Sequence, residues 1–137
     1  MNRALLVIDV QNEYFDGAMP VVHPLGSSAN ILRAMDAAAA TAIPVCVIQH
    51  TAPDGQRVFQ KGTRGWDLHP EVERRPRDIL IEKRLPGSFT GTILGQWLRD
   101  RKIDRVVVAG YMTQMCCDTT ARQACHEGYS VEFLSDS

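Results

Sequence analysis

Three residues of this chain, Asp9, Lys83 and Cys116, are of the types that together perform nucleophilic catalysis. Each lies at or just beyond the end of a short apolar run that predicts a buried strand. A cysteine attacks carbonyl carbon as its thiolate, a nearby carboxylate can take the thiol proton, and an ammonium group can hold both anions in place. These residue types therefore predict a nucleophile site if the fold brings them together.

The strongest local signal surrounds two adjacent cysteines, Cys116 and Cys117. They follow an apolar run that ends at Gly110, and they open a segment with the pattern of an amphipathic helix. A helix N-terminus carries unpaired N–H groups and a partial positive charge, so a thiol placed there should ionise more readily than free cysteine. We therefore expect a reactive thiol at this helix start.

Strand and helix patterns alternate along the chain. Apolar runs predict five strands, at 4–10, 44–50, 78–83, 105–110 and 130–135. Helical spacing and possible N-caps predict helices at 27–42, 90–102 and 116–127. This alternation predicts an α/β fold, a three-layer, doubly wound parallel sheet with helices on both faces. Ligands bind beyond the carboxyl ends of such strands, which is where Asp9, Lys83 and Cys116 would meet.

Composition narrows the class of protein. The chain has 137 residues, 45% of them hydrophobic, which predicts one domain over 1–137. Fifteen basic residues nearly balance 16 acidic ones, so we expect a small-molecule partner and neither nucleic acid nor membrane. No apolar run is long enough to span a bilayer, the N-terminus does not have the pattern of a signal segment, and the four cysteines fall in predicted elements. We therefore expect cytoplasmic localisation with free thiols.

The chain also resembles a known family in three places. These are Leu-Val-Ile-Asp-Val-Gln ending at Gln11, Glu-Lys followed by Gly-Ser-Phe at 82–89, and Gly-Tyr-Met-Thr-Gln-Met-Cys-Cys-Asp-Thr-Thr at 110–120. In this order they are similar to the isochorismatase-like cysteine hydrolases, a group that includes nicotinamidases and N-carbamoylsarcosine amidases. The resemblance covers nearly the whole chain, and it implies cleavage of an amide-type C–N bond.

The resemblance also implies a role for each site residue. Asp9 would be the general base, Lys83 would lower the pKa of the thiol, and Cys116 would be the nucleophile, with Cys117 packed in the core. The backbone N–H groups of Met112 and Cys116 would form the oxyanion hole. A cis peptide bond is expected at Tyr111–Met112, where it would be tolerated as part of the site's geometry.

Other side chains are candidates for substrate binding. The long polar segment 51–77 is of a length that is usually functional or disordered, so we expect it to influence substrate choice. His50 could donate to a substrate oxygen or be an ordinary strand-end histidine. The remaining candidates are polar or aromatic residues near the predicted site: Gln11, Phe15, Trp66, Phe89 and Tyr111.

We expect no cofactor and no metal ion. Related nicotinamidases carry a metal on an Asp-x-His pair after the second strand, and here that position reads Ile-Gln-His50, which lacks the acid. The resemblance further implies a sixth strand and a helix after 130–135, so we expect the fold to lack its last strand. A partner subunit could cover the exposed sheet edge, which predicts a homo-oligomer.

Two other functions fit the same residues. Isochorismatase-type hydrolysis of a vinyl ether needs only a general acid, which Asp9 could supply without a thiol. A catalytically idle module could instead keep the scaffold for binding or assembly. A redox pair of Cys116 and Cys117 is weaker, because adjacent cysteines at a helix start cannot bridge without distortion.

Overall fold

The computed structural model describes residues 2–15, 27–111 and 116–134. Two predictions about the oxyanion hole and its backbone, the N–H of Met112 and the cis bond at Tyr111–Met112, lie outside these residues. Among the described helices, none is long and apolar enough to cross a membrane.

One five-stranded sheet organises the described part of the chain. Its strands are β1 (Arg3–Ile8), β2 (Val45–His50), β3 (Ile79–Lys83), β4 (Arg105–Gly110) and β5 (Ser130–Phe133). All pair in parallel, in the order β3-β2-β1-β4-β5. The predicted parallel sheet is confirmed, with each strand within about two residues of its expected bounds.

In the part of the chain that the structure describes, four α-helices accompany the sheet, with a 3-10 turn after β1. The helices are α1 (Ser27–Ala40), α2 (Pro70–Arg74), α3 (Leu94–Asp100) and α4 (Asp118–His126), and the turn is Asn12–Tyr14. Helix α2 falls in the segment that the sequence predicted as a loop. It forms because the His69 side chain accepts from the Glu71 N–H, while Pro70 needs no partner at the first helical position.

Side-chain alternation along the strands produces two separate cores. On β1, Leu6 and Ile8 pack with α3 and α4, whereas Leu5 and Val7 pack with α1. Successive strand residues point to opposite faces, so a fully apolar strand can serve both layers. The sheet is therefore covered on both faces, as the predicted three-layer fold requires.

Strand β1 ends two residues earlier than the sequence predicted, because Asp9 leaves the extended conformation. Its φ is +58°, a left-handed backbone that non-glycine residues seldom adopt. The Asp9 N–H still donates to the Ile48 carbonyl at 2.9 Å, so the turn is anchored to β2. A strained backbone at the residue that carries a carboxylate is typical of functional sites.

The end of β4 needs glycine. Gly110 has a φ of +129°, and a Cβ there would lie 2.0 Å from the Ile8 carbonyl oxygen. We expect Gly110→Ala to lower the free energy of unfolding by at least about 3 kcal/mol, because the backbone itself must move. Urea unfolding at pH 7 measures this loss.

Gly128→Ala is the matched control for that variant. Gly128 also has a positive φ, +93°, but no atom lies within 4 Å of its added Cβ. Only the conformational cost of about 1–2 kcal/mol should remain. Equal losses in the two variants would contradict the close approach of β1 and β4.

Candidate active site

The structure brings together the three residues predicted to do chemistry. Lys83 Nζ lies 3.1 Å from Asp9 Oδ2 and 3.4 Å from Cys116 Sγ. The side chains of Asp9 and Lys83 are 1% and 0% exposed, and Cys116 is buried. A buried lysine is rare unless it is paired, so the Asp9–Lys83 ion pair accounts for its position.

Strand register explains why these residues converge. His50 and Lys83 are direct neighbours at the ends of β2 and β3, and Ile8 of β1 pairs with Gly110 of β4. Asp9 follows Ile8, and Cys116 lies at the start of the segment that leads into α4. All of these groups therefore meet at the carboxyl edge of the sheet, as expected for a doubly wound fold.

Lys83 has more partners than the sequence suggested. Its ammonium group also donates to the Leu85 carbonyl at 3.0 Å and lies 3.1 Å from His50 Nδ1. An ammonium nitrogen carries no lone pair, so His50 Nδ1 must be the acceptor, and the neutral ring carries its proton on Nε2. The Leu85 carbonyl was missed because a backbone acceptor leaves no signal in the residue type.

The net shift of the Cys116 pKa is opposite to the one we expected, although the expected effect of Lys83 is present. We expected the helix start and Lys83 to lower the Cys116 pKa, yet burial, reinforced by the Asp9 carboxylate, raises it to about 12. Lys83 does lower it, but by less than burial raises it. The raised pKa favours the neutral thiol form of Cys116, so its proton has to be removed before this sulfur can attack a carbonyl carbon.

Asp9 is suited to take that proton. Burial raises its pKa above the ordinary value, and the Lys83 charge and a hydrogen bond with Cys116 only partly offset this. Asp9 Oδ1 is buried with no hydrogen-bond partner of standard geometry among the described residues. A basic, unsatisfied carboxylate oxygen beside a thiol is the arrangement expected of a general base.

His50 is neutral in this environment. Burial, and then the Lys83 charge, lower its pKa to about 4. Its backbone is fixed by Gln11, whose side-chain oxygen accepts from the His50 N–H at 2.9 Å and whose Nε2 donates to the His50 carbonyl at 3.0 Å. Of the candidates for substrate binding, His50 is the one in contact with Lys83.

Gln11 itself has a structural position. It is fully buried, and besides its bonds to His50 it donates to the Trp66 carbonyl at 2.8 Å. The two donors and the oxygen of its amide are thus engaged by backbone groups. This placement argues against the substrate contact that we predicted for Gln11. Instead, the Gln11 side chain links the chain after β1 to β2 and to the segment after β2 by hydrogen bonds.

The residues after Gln11 hold the same segment. Asn12 donates to the Arg64 carbonyl through its side chain and to the Asp67 carbonyl through its backbone, both at 2.9 Å. Glu13 Oε2 accepts from the Phe59 N–H at 2.7 Å. The segment between β2 and α2 is therefore bound directly to the chain that carries Asp9, a connection that the sequence did not reveal.

The aromatic candidates divide between the two faces of the sheet. Phe89 packs against the core cluster that contains Cys116, whereas Phe15 and Tyr111 belong to the opposite cluster, with ring centroids 5.7 Å apart. Trp66 donates through Nε1 to Thr51 Oγ1 at 2.9 Å. Substrate contact by these four residues stays a prediction, and Phe89 is the one best placed for it.

Trp66 lines a cleft of about 610 Å³ on the face opposite Cys116. Gln49 and Leu80 line it too, and their strand positions alternate away from those of His50 and Lys83. In 2–15, 27–111 and 116–134, no three His, Cys, Asp or Glu side chains are grouped closely enough to hold a metal ion.

A buried hydroxyl pair supports the Cys116 helix. Ser88 Oγ and Thr120 Oγ1 are 2.8 Å apart, and Thr120 Oγ1 also accepts from the Ser88 N–H at 3.1 Å. These two hydrogen bonds join the segment after β3 to α4. They therefore hold together the parts of the chain that carry Lys83 and Cys116. Cys117 lies in the core, where burial raises its pKa.

The fold and site define an α/β protein with a buried Asp–Lys–Cys cluster at the carboxyl edge of a parallel sheet. The chain belongs to the isochorismatase family, since the Isochorismatase domain matches residues 3–137. The resemblance seen in the sequence and the assignment to a hydrolase family are confirmed.

Individual relatives agree with this assignment. The isochorismatase family protein YddQ of Bacillus subtilis is 34% identical over 100% of this chain and 77% of its own. A solved isochorismatase structure from Burkholderia xenovorans is 52% identical, with a TM-score of 0.95, over 98% of this chain but 65% of that one. N-carbamoylsarcosine amidase of Thermoplasma acidophilum is 25% identical, with a TM-score of 0.91, over 99% of this chain and 83% of the amidase chain.

Proposed function

We propose that this protein hydrolyses an amide-type C–N bond of a small molecule through a thioester on Cys116. The observation that carries the proposal is the buried cluster in which Lys83 Nζ contacts both Asp9 Oδ2 and Cys116 Sγ. The similarity to an N-carbamoylsarcosine amidase supports the same bond type. No metal or cofactor has a role in the proposed reaction.

In the first half of the reaction, the Cys116 proton passes to Asp9 as Sγ bonds to the carbonyl carbon. The carbonyl electron pair moves onto oxygen, and the N–H groups of Met112 and Cys116 are our proposed donors to that oxyanion. The pair returns, the C–N bond breaks, and Asp9 gives its proton to the leaving nitrogen. The products are the amine and a Cys116 thioester.

In the second half, water adds to the thioester carbonyl while Asp9 takes a proton from it. The C–S bond then breaks, the acid leaves, and the proton on Asp9 returns to the Cys116 sulfur. Amide and water thus become acid and amine, and the enzyme is restored. Lys83 Nζ contacts both Asp9 and Cys116, the two groups that carry negative charge in turn.

The directions of the two pKa shifts support this exchange. Burial raises the pKa of the Asp9 carboxyl and also that of the Cys116 thiol. A more basic carboxylate is a better acceptor for the thiol proton, while the raised pKa of the thiol makes the return of that proton to sulfur favourable. Asp9 can therefore act first as base and then as acid.

The raised pKa of Asp9 also favours a second function. A carboxyl group whose pKa burial raises is a better-placed general acid for isochorismatase-type hydrolysis of a vinyl ether than an ordinary aspartate. That reaction would not require Cys116. The two functions are therefore separated by the Cys116→Ala variant.

A screen for ammonia release tests the primary proposal. Purified protein is incubated with small primary amides, carbamoylated amino acids and biuret-like compounds, with the Cys116→Ala variant as the blank. We expect ammonia from at least one compound with the native protein and none above background with the variant. Equal release by the two proteins from every active compound would reject a cysteine mechanism.

We also propose that the protein is cytoplasmic and forms a homo-oligomer. Cys46, Cys116, Cys117 and Cys125 are all free thiols, which suits a reducing compartment. Leu80 and Leu85 are large apolar side chains that are 41% and 51% exposed, which suits burial against another subunit. Analytical ultracentrifugation measures the assembly, and a monomer at micromolar concentration would contradict it.

A further inference from the structure

The Lys83 ammonium group has one more acceptor around it than it has protons. Asp9 Oδ2, His50 Nδ1 and the Leu85 carbonyl lie at 3.0–3.1 Å from Nζ, and Cys116 Sγ lies at 3.4 Å. An ammonium group donates three N–H bonds. Two of the four acceptors must therefore share one proton, and the thiol sulfur, which is the weakest acceptor by type, is one of the two.

His50 is the acceptor best able to share. Asp9 is an anion and the Leu85 carbonyl is fixed in the backbone, whereas His50 Nδ1 is a neutral acceptor. Its ring packs edge-on against Phe59, with centroids 5.4 Å apart, so Nδ1 is held in place. Among the described residues, Tyr14 from the 3-10 turn and Cys117 before α4 also interact electrostatically with this cluster.

We propose that His50 is a positioning residue that competes with the Cys116 sulfur for one N–H of Lys83 and so limits the reactivity of the resting thiol. While His50 accepts the proton, the thiol stays neutral. When negative charge develops on sulfur, the same N–H can turn from Nδ1 to Sγ without breaking the Asp9 ion pair. The inference rests on the proposed role of Cys116 but on no particular substrate.

The competition has a measurable consequence. Removing the Nδ1 acceptor should leave one Lys83 N–H to the sulfur and lower the pKa of Cys116 by about one unit, given what hydrogen bonds to charged groups contribute. A one-unit drop multiplies the thiolate fraction about tenfold. The lower nucleophilicity of a less basic thiolate reduces the net gain to about threefold in alkylation rate.

The experiment compares His50→Phe and His50→Asn with the native protein. His50→Phe keeps the ring against Phe59 and loses the acceptor, whereas the Asn side-chain oxygen can replace Nδ1. Iodoacetamide labelling at pH 8 is followed for each cysteine by peptide mass spectrometry, and exposed Cys125 is the internal reference. We expect Cys116 labelling about threefold faster in His50→Phe and unchanged in His50→Asn, with Cys125 unchanged in both.

Several outcomes would overturn the inference. Equal Cys116 rates in all three proteins, slower labelling in His50→Phe, or the same acceleration in both variants would show that His50 does not compete for the proton. Faster labelling of the buried Cys46 as well would show general loosening instead. Failure of the proposed function is read separately, in the ammonia screen: release by Cys116→Ala equal to that of the native protein would reject Cys116 as the nucleophile, and the inference with it.

Discussion

Cys116→Ala is expected to lower kcat/KM for the amide substrate about 10⁴-fold, because no thioester can form without the sulfur. Asp9 and Lys83 remain in place in this variant, so their 3.1 Å ion pair and the fold should persist. The loss should therefore appear in turnover and not in the urea midpoint. Steady-state kinetics on the compound found by the ammonia screen measures it.

Cys117→Ala is the matched control for the nucleophile. Cys117 is the adjacent residue and is fully buried, so its truncation should cost about 1 kcal/mol of stability and leave most of the turnover intact. Retained turnover in Cys116→Ala would contradict the thioester mechanism and support Asp9 as a general acid acting alone. Loss of turnover in Cys117→Ala alone would reverse the assignment of the two cysteines.

Lys83→Met is expected to have the largest effect on stability, about 3–5 kcal/mol at pH 8. Methionine has a volume similar to that of the fully buried lysine but carries no charge. The substitution therefore leaves Asp9 as an uncompensated buried anion. His50 Nδ1 and the Leu85 carbonyl also lose their donor. Urea unfolding between pH 5 and pH 8 measures the change.

The pH dependence of that variant has a definite sign. Burial already raises the Asp9 pKa above the value of about 4 expected in the unfolded chain, and loss of Lys83 removes an effect that lowers it. A raised folded-state pKa means that the contribution of Asp9 to stability is complete below pH 4 and is lost as the pH rises. Lys83→Met should therefore become less stable with pH above 4, by at most about 1.4 kcal/mol per unit.

The double variant Asp9→Asn, Lys83→Met tests whether the Asp9 charge causes the instability of Lys83→Met. The asparagine side chain cannot ionise, so the pH-dependent loss should disappear and part of the stability at pH 8 should return. Asparagine also tolerates the left-handed backbone found at this position, which has a φ of +58°. A double variant as unstable and as pH-sensitive as Lys83→Met would show that the Asp9 charge is not the cause.

The sheet and the meeting of the three candidate residues at its edge could be predicted because their signals are local. Apolar runs define strands, and a parallel sheet places the ends of those strands at one edge, which is where Asp9, Lys83 and Cys116 are found. Helix α2 was missed because it depends on one cap, His69, in a polar segment. Its five residues are too few for helical periodicity to be visible.

The ionisation state of the thiol could not be predicted. A helix start and a lysine both argue for a low pKa of Cys116, and the sequence shows both. Burial is a property of the packed structure, and here it outweighs the effect of Lys83. In the same way, Gln11 has the residue type of a ligand contact, and only its three backbone partners show that its amide is already engaged.

The hydrogen bonds from residues 11–13 to the segment after β2 also matter for engineering. The side chains of Gln11 and Asn12 donate to the backbone carbonyls of Trp66 and Arg64, respectively. The side chain of Glu13 accepts from the Phe59 N–H. A segment transplanted from a relative would lose these anchors unless residues 11–13 of the donor came with it. Libraries that aim to change substrate preference should therefore treat 9–15 and 50–69 as one cassette, exchanged together.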